Sequence, residues 1–112
     1  MSPDRAKTDI LQGMLDMLIL KTLAHEPLHG YGVAQRLRLL SRERLQVPQG
    51  SLYPALHRLE NRGLVTGEWG DTQGGRKAKT YRLTAKGRKQ LEAELSSWRE
   101  LSGVISLVLG TA

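Results

Sequence analysis

Apolar residues recur along the chain at intervals of three and four positions, the repeat of an α-helix, in four separate stretches. The first stretch runs from Thr8 to Glu26 and is apolar on more than one side. The helix that it predicts should therefore be buried on two sides. Thr8 or Asp9 is suited to cap this helix, and Pro27 with Gly30 is suited to end it.

The second stretch follows the turn-like sequence "EPLHGYG" and predicts a short, basic, amphipathic helix. Val33, Leu37 and Leu40 lie at helical spacing and form its apolar side. The connector "LQVPQ" leads to the third stretch, which reads "GSLYPALHRLENRGLV". On a helical wheel of about 100° per residue, one arc of this third helix should face the core. That arc consists of Leu52, Ala55, Leu56 and Leu59.

Pro54 limits where the third helix can begin. Proline is best tolerated near the first turn, where backbone donors have no partner in the helix, so the start should lie between Pro48 and Ser51. Gly63 is suited to end the helix. The side away from the core is polar and includes Gly50, Pro54, His57 and Asn61, flanked by Tyr53, Arg58 and Arg62.

After the third helix the pattern changes from helical to strand-like. The segments "LVTGEW" and "TYRLT" enclose the glycine-rich "GDTQGGRKAK", which predicts a two-stranded hairpin with a long tip. Trp69 is interpreted as an anchor in the core or at the base of this hairpin. Thr84 is suited to cap a last helix from about Ala85 toward Leu109. Its apolar stripe consists of Leu91, Leu95, Trp98, Leu101 and Ile105.

Three helices, a hairpin and a final helix, in this order, are the layout of a winged helix-turn-helix. The predicted fold class is therefore mainly α with a small β-hairpin. Residues 1–84 are expected to form the DNA-binding domain, and residues 85–112 a C-terminal dimerisation helix, within one compact unit. A helix of this kind fits the DNA major groove, where long side chains reach base edges and phosphates.

The charge distribution favours a polyanionic partner. The chain of 112 residues has a net charge of +6. Between Gln73 and Lys89 there are seven basic residues and no acidic residue, so the net positive charge of this segment is larger than that of the whole chain. A basic loop beside a helix that enters the major groove can follow the phosphate backbone or enter a minor groove. The seven residues are Arg76, Lys77, Lys79, Arg82, Lys86, Arg88 and Lys89.

Composition argues against several other classes of protein. The chain contains no cysteine, which excludes disulfides, thiol nucleophiles and thiolate metal sites. His25, His29 and His57 lack the close helical spacing of zinc enzymes, and no nucleophile elbow or carboxylate pair is visible, so neither a metal, a cofactor nor catalysis is expected. No apolar run is long enough for a membrane span, which predicts a cytoplasmic protein without a membrane partner.

Three segments together resemble the PadR family of bacterial transcriptional regulators. They are "LDMLILKTLAHEPLHGYGVAQRL", "GSLYPALHRLENRGLV" and "GGRKAKTYRLTAKGRKQL", in the order and spacing of that family. The resemblance implies a homodimeric winged-helix repressor that reads a pseudo-palindromic operator in double-stranded DNA and responds to a signal. Because the chain ends soon after its final helix, it is similar to the short branch of the family.

The resemblance also implies which residues contact DNA. The third helix should enter the major groove, the "GGRKAK" wing should touch the backbone or the minor groove, and Tyr31 should lie close to phosphates. The predicted contact residues are Tyr31, Gln49, Ser51, Tyr53, Pro54, His57, Arg58, Arg76, Lys77 and Lys79.

The last helix predicts how two copies associate. Its C-terminal end, "GVISLVLG", is apolar nearly all round, and a monomer of this size would leave it exposed. Packing against the first helix of a second copy would cover both surplus surfaces with two-fold symmetry. The predicted interface consists of Met14, Leu18, Leu91, Leu95, Trp98, Leu101 and Ile105.

Trp98 has two possible roles. The simpler is an aromatic plug in the core of the dimer. If the two final helices cross near their middles, however, two facing indoles could hold a small flat aromatic effector by stacking. Two rival functions also remain open at this point: a DNA-architectural protein without sequence preference, and a module whose basic surface binds an acidic protein or anionic lipid.

Overall fold

Four helices and a small antiparallel sheet make up the chain in the computed structural model, which describes residues 3–72 and 74–111. The sheet has three strands in the order β1-β3-β2. In chain order the elements are α1 (Pro3–His25), β1 (Leu28–His29), α2 (Gly30–Leu40), α3 (Gln49–Asn61), β2 (Val65–Asp71), β3 (Lys77–Leu83) and α4 (Ala85–Leu109). The predicted fold class, a mainly helical winged helix with a long final helix, is confirmed.

One apolar core lies between α1, α2, α3 and the sheet. The predicted core arc of α3 is confirmed, since all four of its residues are buried. The other buried apolar residues are Leu15, Ile19, Leu20, Leu23, Val33, Leu37, Leu64, Val65, Tyr81 and Leu91. These residues fix the orientation of α3 and leave its opposite side in solvent.

The predicted bounds of α3 are confirmed at both ends. The helix begins at Gln49 after Pro48, and Gly63 follows its C-cap with a φ of 74°, a left-handed conformation that favours glycine. Pro54 lies in the second turn, so it cannot donate to the carbonyl of Gly50. Gly50 is exposed, and water can hydrate that carbonyl.

Three predicted details of the first two helices were wrong. α1 begins at Pro3 rather than at Thr8 or Asp9, and proline suits a first helical position because its fixed φ matches the helix. The segment predicted as a plain turn contains β1, which pairs with β3 through Leu28 and Tyr81. Leu40 is 62% exposed, because α2 ends there and the chain turns away.

The hairpin is longer and its tip shorter than predicted. β2 and β3 each have seven residues and pair from Val65 with Leu83 to Asp71 with Lys77. Much of the segment assigned to the tip therefore belongs to the strands, because backbone pairing with a neighbouring strand continues through it. The wing is consequently a regular ladder that holds its basic side chains at defined positions.

The predicted cap of α4 is confirmed. The Thr84 hydroxyl accepts a hydrogen bond from the Gly87 amide at 2.9 Å, and the Thr84 amide donates to the Leu64 carbonyl at 3.1 Å. Gly87 is buried against the same carbonyl, and a Cβ at this position would lie 2.0 Å from the Leu64 oxygen. The start of α4 is thus held against the turn that ends α3.

Candidate nucleic-acid interface

The solvent side of α3 carries most of the predicted base-reading residues. Gln49, Tyr53, Pro54, His57 and Arg58 are exposed, and Ser51 is half-buried. They share this side because the opposite arc is occupied by the core residues of the helix. The helix therefore presents polar and aromatic side chains along one continuous surface.

An open cleft of about 760 Å³ lies between this side of α3, the start of α2 and the wing. It brings together six of the ten predicted contact residues and leaves Gln49, Ser51, Arg58 and Arg76 outside. Its lining includes both aromatic and basic side chains, a combination suited to the sugars and phosphates of a nucleic acid. Its lining consists of His29, Gly30, Tyr31, Tyr53, Pro54, His57, Trp69, Lys77, Ala78, Lys79 and Tyr81.

Gly30 is a site residue that the sequence interpretation missed. A Cβ at this position would lie 2.6 Å from Cε1 of Tyr53, so glycine allows the tyrosine ring to lie against the first turn of α2. The two glycines around Tyr31 in "HGYG" were the available signal, and they were interpreted only as part of a turn. Gly30 thus fixes how closely the two helices approach in the cleft.

Lys79 connects the wing to α3. Its ammonium donates a hydrogen bond to Glu60 Oε1 at 2.8 Å and lies 5.4 Å from the centroid of the Tyr81 ring. The hydrogen bond with Glu60 is the main reason that the pKa of Lys79 is raised, so this side chain stays charged. A Cβ at Gly67 would lie 2.2 Å from Lys79 Cε, so glycine provides the space for this ion pair.

Burial has the dominant effect on the neighbouring tyrosine. The pKa of Tyr81 is raised because the phenol is desolvated, and the nearby charge of Lys79 only partly opposes this shift. Tyr81 therefore stays neutral and serves as the floor of the cleft. Of the basic residues in the cleft, Lys79 has a carboxylate partner, whereas Lys77 is exposed on the same strand.

Arg58 and Arg62 both approach one carboxylate of α1. Arg58 Nη2 lies 3.1 Å from Asp16 Oδ1, and Arg62 Nη1 lies 3.9 Å from Asp16 Oδ2. About half of each arginine side chain remains exposed. The pairing therefore orients Arg58 without removing it from solvent.

The wing tip presents the remaining predicted cations. Arg76 and Lys77 are exposed at the start of β3, after a turn in which the Thr72 amide donates to the Arg76 carbonyl at 2.9 Å. The interpretation of Trp69 as an anchor was wrong, because 67% of its surface is exposed. Within residues 3–72 and 74–111 no cluster of three histidine or acidic side chains converges in a way that suits a metal ion.

Comparison with known proteins shows the family to which this sequence and fold belong. Residues 19–93 match the Transcriptional regulator PadR-like family. The chain belongs to the PadR family. It is 38% identical to the transcriptional regulator Rv3488 of Mycobacterium tuberculosis over 84 residues. The aligned region covers 75% of this chain and 75% of Rv3488. PadR proteins regulate transcription and are not enzymes, so the chain is a DNA-binding transcriptional regulator.

Solved PadR structures share the fold. A PadR-like transcription factor from Bacteroides fragilis is 35% identical, with a TM-score of 0.75 over 93% of this chain and 98% of that one. A PadR-like regulator from Bacillus cereus is 32% identical, with a TM-score of 0.77 over 90% of this chain and 96% of that one. The similarity therefore extends into α4, beyond the end of the family match at residue 93.

A second groove, of about 410 Å³, lies between α1 and α4. Trp98, 38% exposed, forms part of its wall. Leu91 is buried within its own chain, so little of its surface is left for a second copy. The PadR regulator thus carries an apolar groove beside the exposed stripe of α4. The lining consists of Met14, Met17, Gln90, Ala93, Glu94, Ser97, Trp98 and Leu101.

No helix within the described ranges is both long enough and apolar enough to cross a membrane.

Proposed function

We propose that the chain is a cytoplasmic homodimeric repressor that binds a pseudo-palindromic operator in double-stranded DNA and is released by an effector. The observation that carries this proposal is the placement of an exposed polar side of α3 next to a basic wing, with a cleft of aromatic and basic residues between them. The cytoplasmic location is proposed because a regulator of bacterial transcription has to reach the chromosome. The proposed division is a DNA-binding domain at residues 1–84 and a dimerisation helix at residues 85–112.

In the proposed complex, α3 reads bases from the major groove. Gln49 and Ser51 lie at its N-terminal end, where the short side chains of Gly50 and Ser51 allow close approach of the backbone. His57 and Arg58 lie one to two turns further along and are long enough to reach base edges or phosphates. Tyr31 stands at the start of α2, beside the cleft, where it suits a phosphate contact.

The wing has a positioning role in this proposal. Arg76 and Lys77 are exposed cations at the end of a strand ladder, so they suit phosphates that flank the base-reading helix. Lys79 contributes mainly by holding the wing against α3 through Glu60. Affinity would thus come largely from the wing and sequence preference from α3.

The dimer is proposed from the apolar surface of α4. Beyond Leu95 no large apolar residue of the helix is buried as Leu91 is. The exposed residues are Trp98, Leu101 and Ile105 of the predicted stripe, together with Val104, Leu107, Val108 and Leu109. Met14 and Leu18 of α1 are half-buried, and Met14 lines the groove beside Trp98. Two copies in which α4 of each packs against α1 of the other would cover these surfaces. Their recognition helices should then lie about 34 Å apart, one turn of DNA.

The proposed effector site is the groove at Trp98. Its wall combines the indole with Met14, Met17 and Leu101, which suits a flat apolar or aromatic molecule. Two such grooves meet if the α4 helices cross near Trp98. A bound molecule changes the spacing of the α3 helices only if it fits the DNA-free dimer better than the DNA-bound one. Without that difference, Trp98 would serve only as a plug in the dimer.

The direct test of the regulator is selection of fragments of the source genome by the purified protein. The proposal expects enrichment of a two-fold symmetric sequence, and binding to it that exceeds binding to scrambled duplexes by about a thousandfold or more. Equal affinity for all duplexes would instead favour the architectural protein. Absence of DNA retention at moderate salt would favour the acidic-partner module. Expression of a reporter behind the selected sequence should fall when the regulator is present.

The effector proposal is tested by titrating planar aromatic compounds against the DNA-bound protein. A compound that binds beside Trp98 should quench tryptophan fluorescence and release DNA in parallel. Trp98→Ala retains Trp69 and serves as the matched variant. Equal quenching and equal DNA release by wild type and Trp98→Ala would place the effector elsewhere or exclude it.

A further inference from the structure

Trp69 is a large aromatic side chain that the core does not use. It lies on β2, directly opposite Lys79 of β3, and 67% of its surface is exposed. Side chains alternate between the two faces of a strand, so Val65, Gly67 and Trp69 share one face of β2. Val65 on this face is buried, and a Cβ at Gly67 would lie 3.0 Å from Glu60 of α3. Trp69 therefore continues the α3-facing side of the wing beyond the end of the core.

The surroundings of Trp69 indicate the kind of partner. It lines the cleft together with Tyr53 and His57 of α3 and with Lys77 of β3. Lys77 shares this face, since residues 77, 79 and 81 alternate with those that point away. An exposed indole beside an exposed ammonium offers a flat apolar ring face, an N–H donor and a positive charge in one place. Deoxyribose and phosphate offer the complementary apolar face and acceptor oxygens.

The position of the cleft identifies which part of DNA would enter it. If α3 lies in the major groove and the wing tip follows the backbone or the minor groove, the space between them is occupied by the sugar-phosphate strand that separates the grooves. Trp69 borders this space together with Tyr53. Bases are not accessible from there, so a contact would be independent of sequence.

We propose that Trp69 is a DNA-contacting residue whose indole packs on deoxyribose and whose Nε1–H donates to a phosphate in the cleft between α3 and the wing. The contact rests on the proposed placement of α3 in the major groove. It adds affinity for every duplex without reading bases. Because the indole is uncharged, it releases no counterions, which distinguishes it from the neighbouring contact of Lys77.

The first experiment observes Trp69 in the full-length protein. Labelling with ¹⁵N gives one indole N–H resonance for each of the two tryptophans, and loss of a resonance in Trp69→Phe assigns that of Trp69. A duplex of random sequence, a small part of it fluorescently labelled, is added at low salt until its polarisation shows that the protein is saturated with DNA. The Trp69 resonance should shift in proportion to bound DNA. An unchanged Trp69 resonance at saturation would overturn the proposal.

The second experiment measures affinity as a function of salt. Trp69→Ala should weaken binding to specific and random duplexes alike by about tenfold, with an unchanged slope of log affinity against log salt. Lys77→Ala should lower that slope by about one unit. Leu39→Ala, which removes a similarly exposed apolar side chain outside the cleft, should leave affinity unchanged. Thermal unfolding of all three variants checks that each remains folded.

The outcomes separate this contact from the function on which it rests. Wild-type affinity of a folded Trp69→Ala would exclude the contact and leave DNA binding intact. A loss confined to one operator sequence would also overturn it, because the proposed contact is independent of sequence. If wild type bound no duplex at all, the proposed regulator itself would fail, and the contact with it.

Discussion

The winged-helix body and the distal half of α4 contain the same kinds of apolar residues but place them differently. In the body, leucines and valines from four helices and the sheet are buried in one cluster. In the distal half of α4, from Trp98 to Leu109, the large apolar residues are all at least one-third exposed. The body thus buries its apolar residues within one chain, whereas the end of α4 leaves its apolar residues exposed.

The difference is explained by where each segment lies relative to its neighbours. The start of α4 is held against the Leu64 carbonyl. Leu91 and Leu95 pack in or against the core, whereas the large apolar residues further along the helix are exposed. The chain measures 54 × 33 × 24 Å along its principal axes. The apolar side chains from Val104 to Leu109 are 42–81% exposed, although their residue types are those of the core. We expect this exposed stripe to pack against a second copy of the chain, as proposed above.

The largest effect is expected from a charge in the distal stripe. Ile105→Asp would bury an unpaired carboxylate at two symmetric places, so the dissociation constant of the dimer should rise by about a thousandfold or more. Ser96→Asp, on the exposed side of the same helix, is the matched control. Sedimentation at several protein concentrations measures the change. A stable Ile105→Asp dimer that still binds operator would refute the proposed role of the stripe.

Two glycines of α4 allow a sharper comparison within one helix. Gly87→Ala would bring a methyl group against the Leu64 carbonyl and should destabilise the fold by about 1–3 kcal/mol. A Cβ at Gly103 meets nothing within 4 Å in the chain, so Gly103→Ala should stabilise the helix by about 0.5–1 kcal/mol. Denaturant unfolding measures both changes. Effects of equal sign would mean that the two halves of α4 are not packed as described.

Wing charges should matter for binding and little for stability. Arg76→Ala or Lys77→Ala should weaken binding to all sequences by a similar factor and lower the salt slope by about one unit for each lost phosphate contact. His57→Ala and Arg58→Ala should change sequence preference instead. Fluorescence polarisation at a series of salt concentrations distinguishes the two. An unchanged slope in both wing variants would remove the wing tip from the interface.

The smallest effect is expected from the Lys79–Glu60 pair. A double-mutant cycle with Lys79→Met and Glu60→Gln should give a coupling of about 0.5–1 kcal/mol. The raised pKa of Lys79 means that this contribution is fully present below the ordinary lysine pKa and is lost as pH rises through the raised value. Unfolding at neutral and at strongly alkaline pH measures it. A coupling that grew with rising pH would contradict the assignment.

Most of the architecture could be predicted from local patterns. The helical repeat identified the buried arc of α3, the side-chain chemistry of Thr84 identified the cap of α4, and Gly63 identified the end of α3. Each of these properties depends on residues within a few positions of one another. The family could be predicted for a similar reason, because each of the three segments that carry the resemblance is an unbroken run of residues.

The errors concern contacts between distant segments. β1 exists because Leu28 finds Tyr81 more than fifty residues away, and no local pattern of two residues indicates a strand. Leu40 has the correct helical spacing and is still exposed, because burial depends on what lies opposite and not on periodicity alone.

The chemistry of the site shows the same division. The sequence alone determined the order of elements, the basic wing and the polar side of α3, since helical and strand periodicity and charge are properties of neighbouring residues. Only the tertiary structure decided that Lys79 pairs with Glu60, that Arg58 pairs with Asp16, and that Trp69 faces solvent. The physical reason is that hydrogen bonds, ion pairs and burial require two surfaces to meet, and the meeting of surfaces is a property of the packed fold.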